Sequence, residues 1–141
     1  MTTSINKPPI WFWVLSVLTL VWNGLGVMAY LGRAFATDEM VAALPVEQQA
    51  EFLTEYPVWY TAAFALAVFC GALGCVTLLI RKKWAYPLFV ISALGAIVQH
   101  GYLFSTIEMT TAQLVMPIMV IAVCILLVLF SKSAISKKWI N

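Results

Sequence analysis

Apolar residues fall in four long, uncharged runs, at 10–31, 57–80, 86–106 and 112–131, with the charged residues gathered in the stretches before, between and after them. The hydrocarbon core of a bilayer is about 30 Å thick, and roughly 20 helical residues cross it. Inside lipid a lone segment must satisfy its own backbone hydrogen bonds, which selects the helix. The pattern predicts an all-α integral membrane bundle, one domain of four transmembrane helices over those ranges. An outer loop at 32–56 and a basic tail at 132–141 complete it. The first run is about twice as long as the apolar region of a secretory signal, so it is expected to stay as a span.

Local signals sharpen the boundaries. Pro8 and Pro9 should open the first helix, where a missing N–H costs little, and Pro87 should serve the third in the same way. Thr110 and Gln113 have the spacing of a capping box and should start the fourth, which Pro117 should then kink. In the outer loop, Thr37 followed by Asp38 and Glu39 reads as a helix N-cap with acids against the positive helix end. Met40, Val41 and Leu44 line one side of that short helix, and Pro45 should begin a second. Val46, Phe52, Leu53 and Tyr56 are its candidate apolar contacts. The loop is therefore expected to be a broken amphipathic helical segment resting on the membrane surface or over the bundle.

Composition supports the membrane reading. Hydrophobic residues make up 63% of the 141 and charged residues 10%, with a mean hydropathy of +0.96, where a soluble domain carries about 25% charged residues. The net charge of +2 hides an asymmetry. Lys7, Arg81, Lys82, Lys83, Lys132, Lys137 and Lys138 share one side of a chain that crosses four times, and Arg33 alone shares the other with all the acids. The positive-inside rule then places both termini and the basic loop of a multi-pass protein in the cytoplasm. The tail is also suited to anionic headgroups. Cys70, Cys75 and Cys124 all lie within spans and read as small buried hydrophobes, not as a disulfide framework.

Small residues at Ala63, Ala67, Gly71 and Cys75, with Cys70 and Gly74 beside them, predict close packing of the second helix within the monomer. Polar residues inside the spans are the candidate chemistry. Placing Ser16 over Ser92 sets Asn23 over Gln99, which predicts a parallel repeat of two hairpins with both amides at similar depth. Asn23 and Gln99 then either bond across a helix interface, worth about 0.6 kcal/mol each, or line a polar cavity with His100. Tyr30, Tyr56, Trp59, Tyr60 and Tyr102 would ring its mouth. His100 is the chain's single histidine, with no acid at mid-span to relay a proton. No catalytic residue, metal site or cofactor is assigned from this pattern.

The segments "PPIWFWVLSVLTLVWNGLGVMAYL", "MVAALP" and "YPVWYTAAFALAVFCGALGCVTLLIRKKWAYPLFVISALGAIVQ" resemble a family of small four-helix bacterial inner-membrane proteins that commonly carry the label "sugar transporter". The segment "GALGCVTLLIRKKWA" is more distantly similar to DoxX-like membrane proteins. The resemblance implies a four-helix fold and solute handling, and it assigns no residue a role. The expected function is non-enzymatic: binding or passing a small solute, or assisting a larger membrane complex. The alternative is a redox or lipid-handling enzyme, or a quinone or haem partner, using His100. Expected partners are the lipid bilayer, a small polar solute and further copies of the chain in a homo-oligomer. No feature points to nucleic acid.

Overall fold

The computed structural model describes residues 5–141. The elements are α1 (Ile10–Ala34), α2 (Asp38–Ala42), α3 (Val46–Leu53), α4 (Val58–Leu79), α5 (Ala85–Thr106) and α6 (Thr111–Ser136). Among the described residues α1, α4, α5 and α6 are long and apolar enough to cross a membrane. At 1.5 Å per residue the shortest of them, 22 residues, spans about 33 Å. The protein is an all-helical, multi-pass membrane bundle.

Prolines and short polar side chains set the helix starts. Pro9, Pro45 and Pro57 stand immediately before α1, α3 and α4. Met40 N donates to Thr37 Oγ1 at 3.3 Å, which caps α2. At the start of α6, Thr110 N donates to Gln113 Oε1 at 3.0 Å, the side-chain-to-backbone half of a capping box. Two boundaries differ from the sequence pattern. α5 begins at Ala85, two residues before Pro87, which still occupies the first turn and so removes no helical hydrogen bond. α6 runs on to Ser136, past the end of its apolar run, because Ser131 and Ala134 are fully buried against the bundle.

The helices pack in chain order. α4 lies between α1 and α5, and α6 packs against α5. Small residues on the shared faces permit this. A Cβ at Gly95 would stand 2.8 Å from Ala63 O and 3.1 Å from Ala67 N, so α5 rests backbone to backbone on α4. Gly74 makes room for the Phe89 ring, and Gly71 for Asn23 of α1 and Ser92 of α5. Ser92 Oγ also donates to Ala67 O at 2.5 Å. The row Ala63, Ala67, Gly71 and Cys75 is therefore buried inside the chain.

The end that carries the α4–α5 loop is sealed. Trp11 and Phe12 of α1 pack against Phe130 of α6 at 5.7 and 5.6 Å, and both meet Trp139. The residues after α6 fold back instead of trailing as a tail, and Ile140 is buried. Asn6 N donates to Lys138 O, Lys83 N to Asn141 O, and Asn141 N to Arg81 O. Arg81 ties the pieces together, its Nε donating to Trp139 O at 2.8 Å and its Nη2 to Asn6 O at 2.7 Å. Arg81 and Lys138 hold left-handed backbone, with φ of 62° and 58°, just past the ends of α4 and α6. That conformation costs a non-glycine residue about 1–2 kcal/mol. It turns each chain end sharply enough to close the knot.

Candidate ligand cavity

At the opposite end the bundle is hollow. A cavity of about 680 Å³ lies between α1, α4, α5 and α6, with α3 across its mouth. Its lining residues come from Trp22 onward in α1, from Val68 back to Tyr60 in α4, from Gln99 onward in α5 and from Cys124 back in α6. Below that level Phe12, Cys75, Leu78, Phe89 and Leu127 form a buried core. The cavity therefore has one closed end.

Three zones succeed one another with depth. The mouth sets charged and polar groups beside Leu103, Ile107 and Met109 and is held by Arg33, the only basic residue at this end of the chain. Arg33 Nη2 donates to Glu51 O at 2.9 Å, its Nη1 pairs with Glu51 Oε1 at 3.6 Å, and its guanidinium covers the Tyr56 ring at 4.4 Å. These contacts strap α3 onto the end of α1. The segment between α1 and α4 thus lies over the bundle, with Phe52 and Tyr56 against Arg33, whereas Val46 and Leu53 are exposed. Tyr60, Gln99 and His100 stand just inside the mouth. The middle of the shaft is apolar, with Gly26, Phe64, Val68, Met116 and Val120 on its wall. Asn23, Trp22 and Cys124 form the floor.

Asn23, Gln99, His100 and Tyr60, all candidates from the sequence, line this cavity and are buried. The other three aromatic candidates do not reach the wall. Tyr30 packs on Phe64 and Phe69 at 5.4 and 5.5 Å. Trp59 packs edge-on to Tyr102 at 5.1 Å, and Tyr102 backs Tyr60 at 5.5 Å. Tyr30, Trp59 and Tyr102 are a supporting layer behind the rings that line the space, Tyr56, Tyr60 and Phe64.

The two amides do not share a depth, contrary to the repeat read from the sequence. Asn23 and Ser92 both lie against Gly71, and Gln99 lies two helical turns beyond Ser92 along α5, about 10 Å at 1.5 Å per residue. Gln99 Nε2 meets Tyr60 Oη, in the first turn of α4, at 3.3 Å. Depth in this bundle is fixed by where each helix finds its small-residue seat on α4. Matching one polar residue to another along the sequence does not capture that. The amides also do not bond each other: Asn23 Nδ2 donates to Thr19 O at 2.8 Å within its own helix and approaches Cys75 Sγ at 3.6 Å.

His100 has a defined hydrogen-bonding role. Its Nδ1 lies 2.8 Å from Ala96 O. A carbonyl only accepts, so Nδ1 carries the proton, and the ring in its neutral form presents Nε2 as an acceptor. Among the described residues no enclosed side-chain nitrogen or oxygen lacks a partner. Nε2 has no protein partner, so it keeps accessible surface, and the space His100 borders is the cavity. No cluster of three or more His, Cys, Asp or Glu among the described residues is placed to hold a metal ion. The chain matches no protein-family model, no curated protein and no solved structure. The geometry of the cavity is what bears on function.

Arg33, Glu51 and the α6 wall were not among the sequence candidates. Arg33 had a signal, its isolation among acids. Pro117 had another: a buried proline in the second turn of α6 leaves the carbonyl four residues earlier, Gln113, without its helical donor, and both residues line the cavity.

Proposed function

We propose that this protein binds a small solute within the bilayer and does no chemistry on it. The observation that carries this reading is a cavity within the bundle, closed at one end and mostly apolar, with a few convergent polar groups, the usual form of a small-molecule site. The resemblance to proteins labelled "sugar transporter" favours solute handling in the same direction. Seven of the eight basic residues lie at the sealed end, which supports an inner-membrane orientation with both termini cytoplasmic and the cavity opening outward. The aromatic and tail contacts that seal the cytoplasmic end favour binding over passage by a single chain. Passage would require an oligomer or release of the knot.

Native mass spectrometry of protein extracted in polymer nanodiscs tests the reading. A bound small molecule should accompany the wild type and be lost from Val120→Trp, which adds bulk at a half-buried position of the cavity wall. Equal small-molecule content in the two proteins would remove the proposal. The open nitrogen of His100 favours one second reading, a quinone or haem partner. A Soret band in the purified protein would establish the haem form of it.

A further inference from the structure

The cavity has a second opening, along its side. α1 and α6 touch at the sealed end through Phe12 and Phe130 but do not pack along the rest of their length. Leu25 of α1 and Met116 of α6 line the cavity, and at 63% and 60% exposure neither is covered by a packed neighbour across this gap. Because α1 and α6 do not pack here, the two residues stand at the lips of a slot between the helices. This slot lies within the spans, so it faces hydrocarbon, and both lips are apolar. The route through the mouth is, by contrast, crossed by α3 and its Arg33–Glu51 strap.

We infer that the cavity takes a lipid-phase alcohol or phenol, which enters sideways through the α1–α6 slot and donates its hydroxyl hydrogen to His100 Nε2. This rests on the cavity being a solute site, and it names the ligand class. A charged or many-hydroxyled molecule would lose its hydration at the slot with nothing to replace it, whereas an apolar body passes between Leu25 and Met116 without that cost. Once inside, the body lies along the apolar shaft. His100, 8% exposed and fixed through Ala96 O, offers an acceptor near the polar end, and only a donor satisfies it. The zones match an amphiphile with its hydroxyl toward the membrane surface and its body deeper.

Binding of 6-hexyl-2-naphthol and of its methyl ether to the full chain in phosphatidylcholine nanodiscs, followed by probe anisotropy, tests the inference. The naphthol should bind saturably and the ether about tenfold more weakly, the effect of one lost hydrogen bond of ordinary strength. His100→Phe should lower naphthol affinity to that of the ether. Leu25→Trp combined with Met116→Trp should slow association and dissociation together, by about fivefold or more if the slot is the path, because a gate alters rates and not the end states. Val120→Trp, which narrows the shaft, should abolish binding of both probes. If naphthol and ether bind equally, or glucose competes while the lip variant leaves the rates unchanged, the inference falls and the solute site stands. If neither probe nor glucose binds, both fall. The comparison of naphthol with ether needs no variant, so a His100→Phe protein that fails to fold does not shield the inference.

Discussion

Replacing Gly71 by alanine adds one methyl group at the point where α1, α4 and α5 meet. The new Cβ would overlap Asn23 Oδ1 and stand 3.0 Å from Asn23 Cγ and 3.1 Å from Ser92 Oγ. Neither side chain is free to yield, because Asn23 Nδ2 is bonded to Thr19 O and Ser92 Oγ to Ala67 O. Overpacking of this kind costs about 1–3 kcal/mol. Alanine's helix propensity returns about 1 kcal/mol, which leaves a net loss of about 0–2 kcal/mol. Gly24 is the internal reference, since it also lies in a spanning helix and a Cβ there meets nothing within 4 Å. Gly24→Ala should be neutral or stabilising by up to about 1 kcal/mol. Unfolding in mixed dodecylmaltoside and dodecylsulfate micelles gives both values, and Gly71→Ala should fall below Gly24→Ala by about 1–3 kcal/mol. In an Asn23→Ala background most of that difference should vanish, because the obstructing side chain is gone. If Gly71→Ala is as stable as Gly24→Ala, or its cost is unchanged without Asn23, the three-helix junction is wrongly described.

The knot at the sealed end yields a contrast between two residues of the same backbone shape. Lys138→Gly relieves the left-handed strain and removes no side-chain hydrogen bond, so it should stabilise by about 0.5–1 kcal/mol after glycine's entropy cost. Arg81→Gly relieves the same strain but removes the donors to Trp139 O and Asn6 O, and it should destabilise by about 1 kcal/mol or more. The same micelle assay reads both, and equal effects would refute the role given to Arg81. For orientation, reporters fused after Lys83 and after Asn141 should read cytoplasm and one after Thr37 the outside; a periplasmic carboxyl terminus would reverse the assignment.

The spans and their order were legible because a bilayer imposes length and apolarity on each helix separately. Caps at Thr37 and Thr110 were legible for a similar reason, each depending on residues within one turn. The depth of Gln99 was not, since it depends on α5 seating Gly95 over Ala63 and Ala67 of another helix. Nor was the docking of the tail, where charge at Lys137 and Lys138 masked the structural part played by Trp139 and Ile140. Lys137 Nζ in fact covers the Trp139 ring at 4.7 Å. The aromatic candidates divide along the same line. Whether Tyr60 or Tyr102 faces the cavity is a matter of rotation about α4 and α5, which spacing along one helix leaves open.

The position of the cavity follows from the distribution of small residues. α4 carries them on the faces it turns to α1 and to α5, so both neighbours are drawn to it at close range. α6 packs mainly on α5, and in its first half it carries Met116, Pro117 and Val120 where α1 presents Leu25, Gly26 and Ala29. A helix pair in lipid has no hydrophobic drive to close such a gap, since hydrocarbon solvates those side chains as well as a neighbouring helix does. At the other end the gap is closed by aromatic rings from α1, α6 and the tail, assisted by the Arg81 hydrogen bonds. The bundle is thus clamped at its basic end and left apart at the other. The only buried imidazole in the chain, His100, borders the part left apart, on a side wall reached from lipid without passing the Arg33 strap.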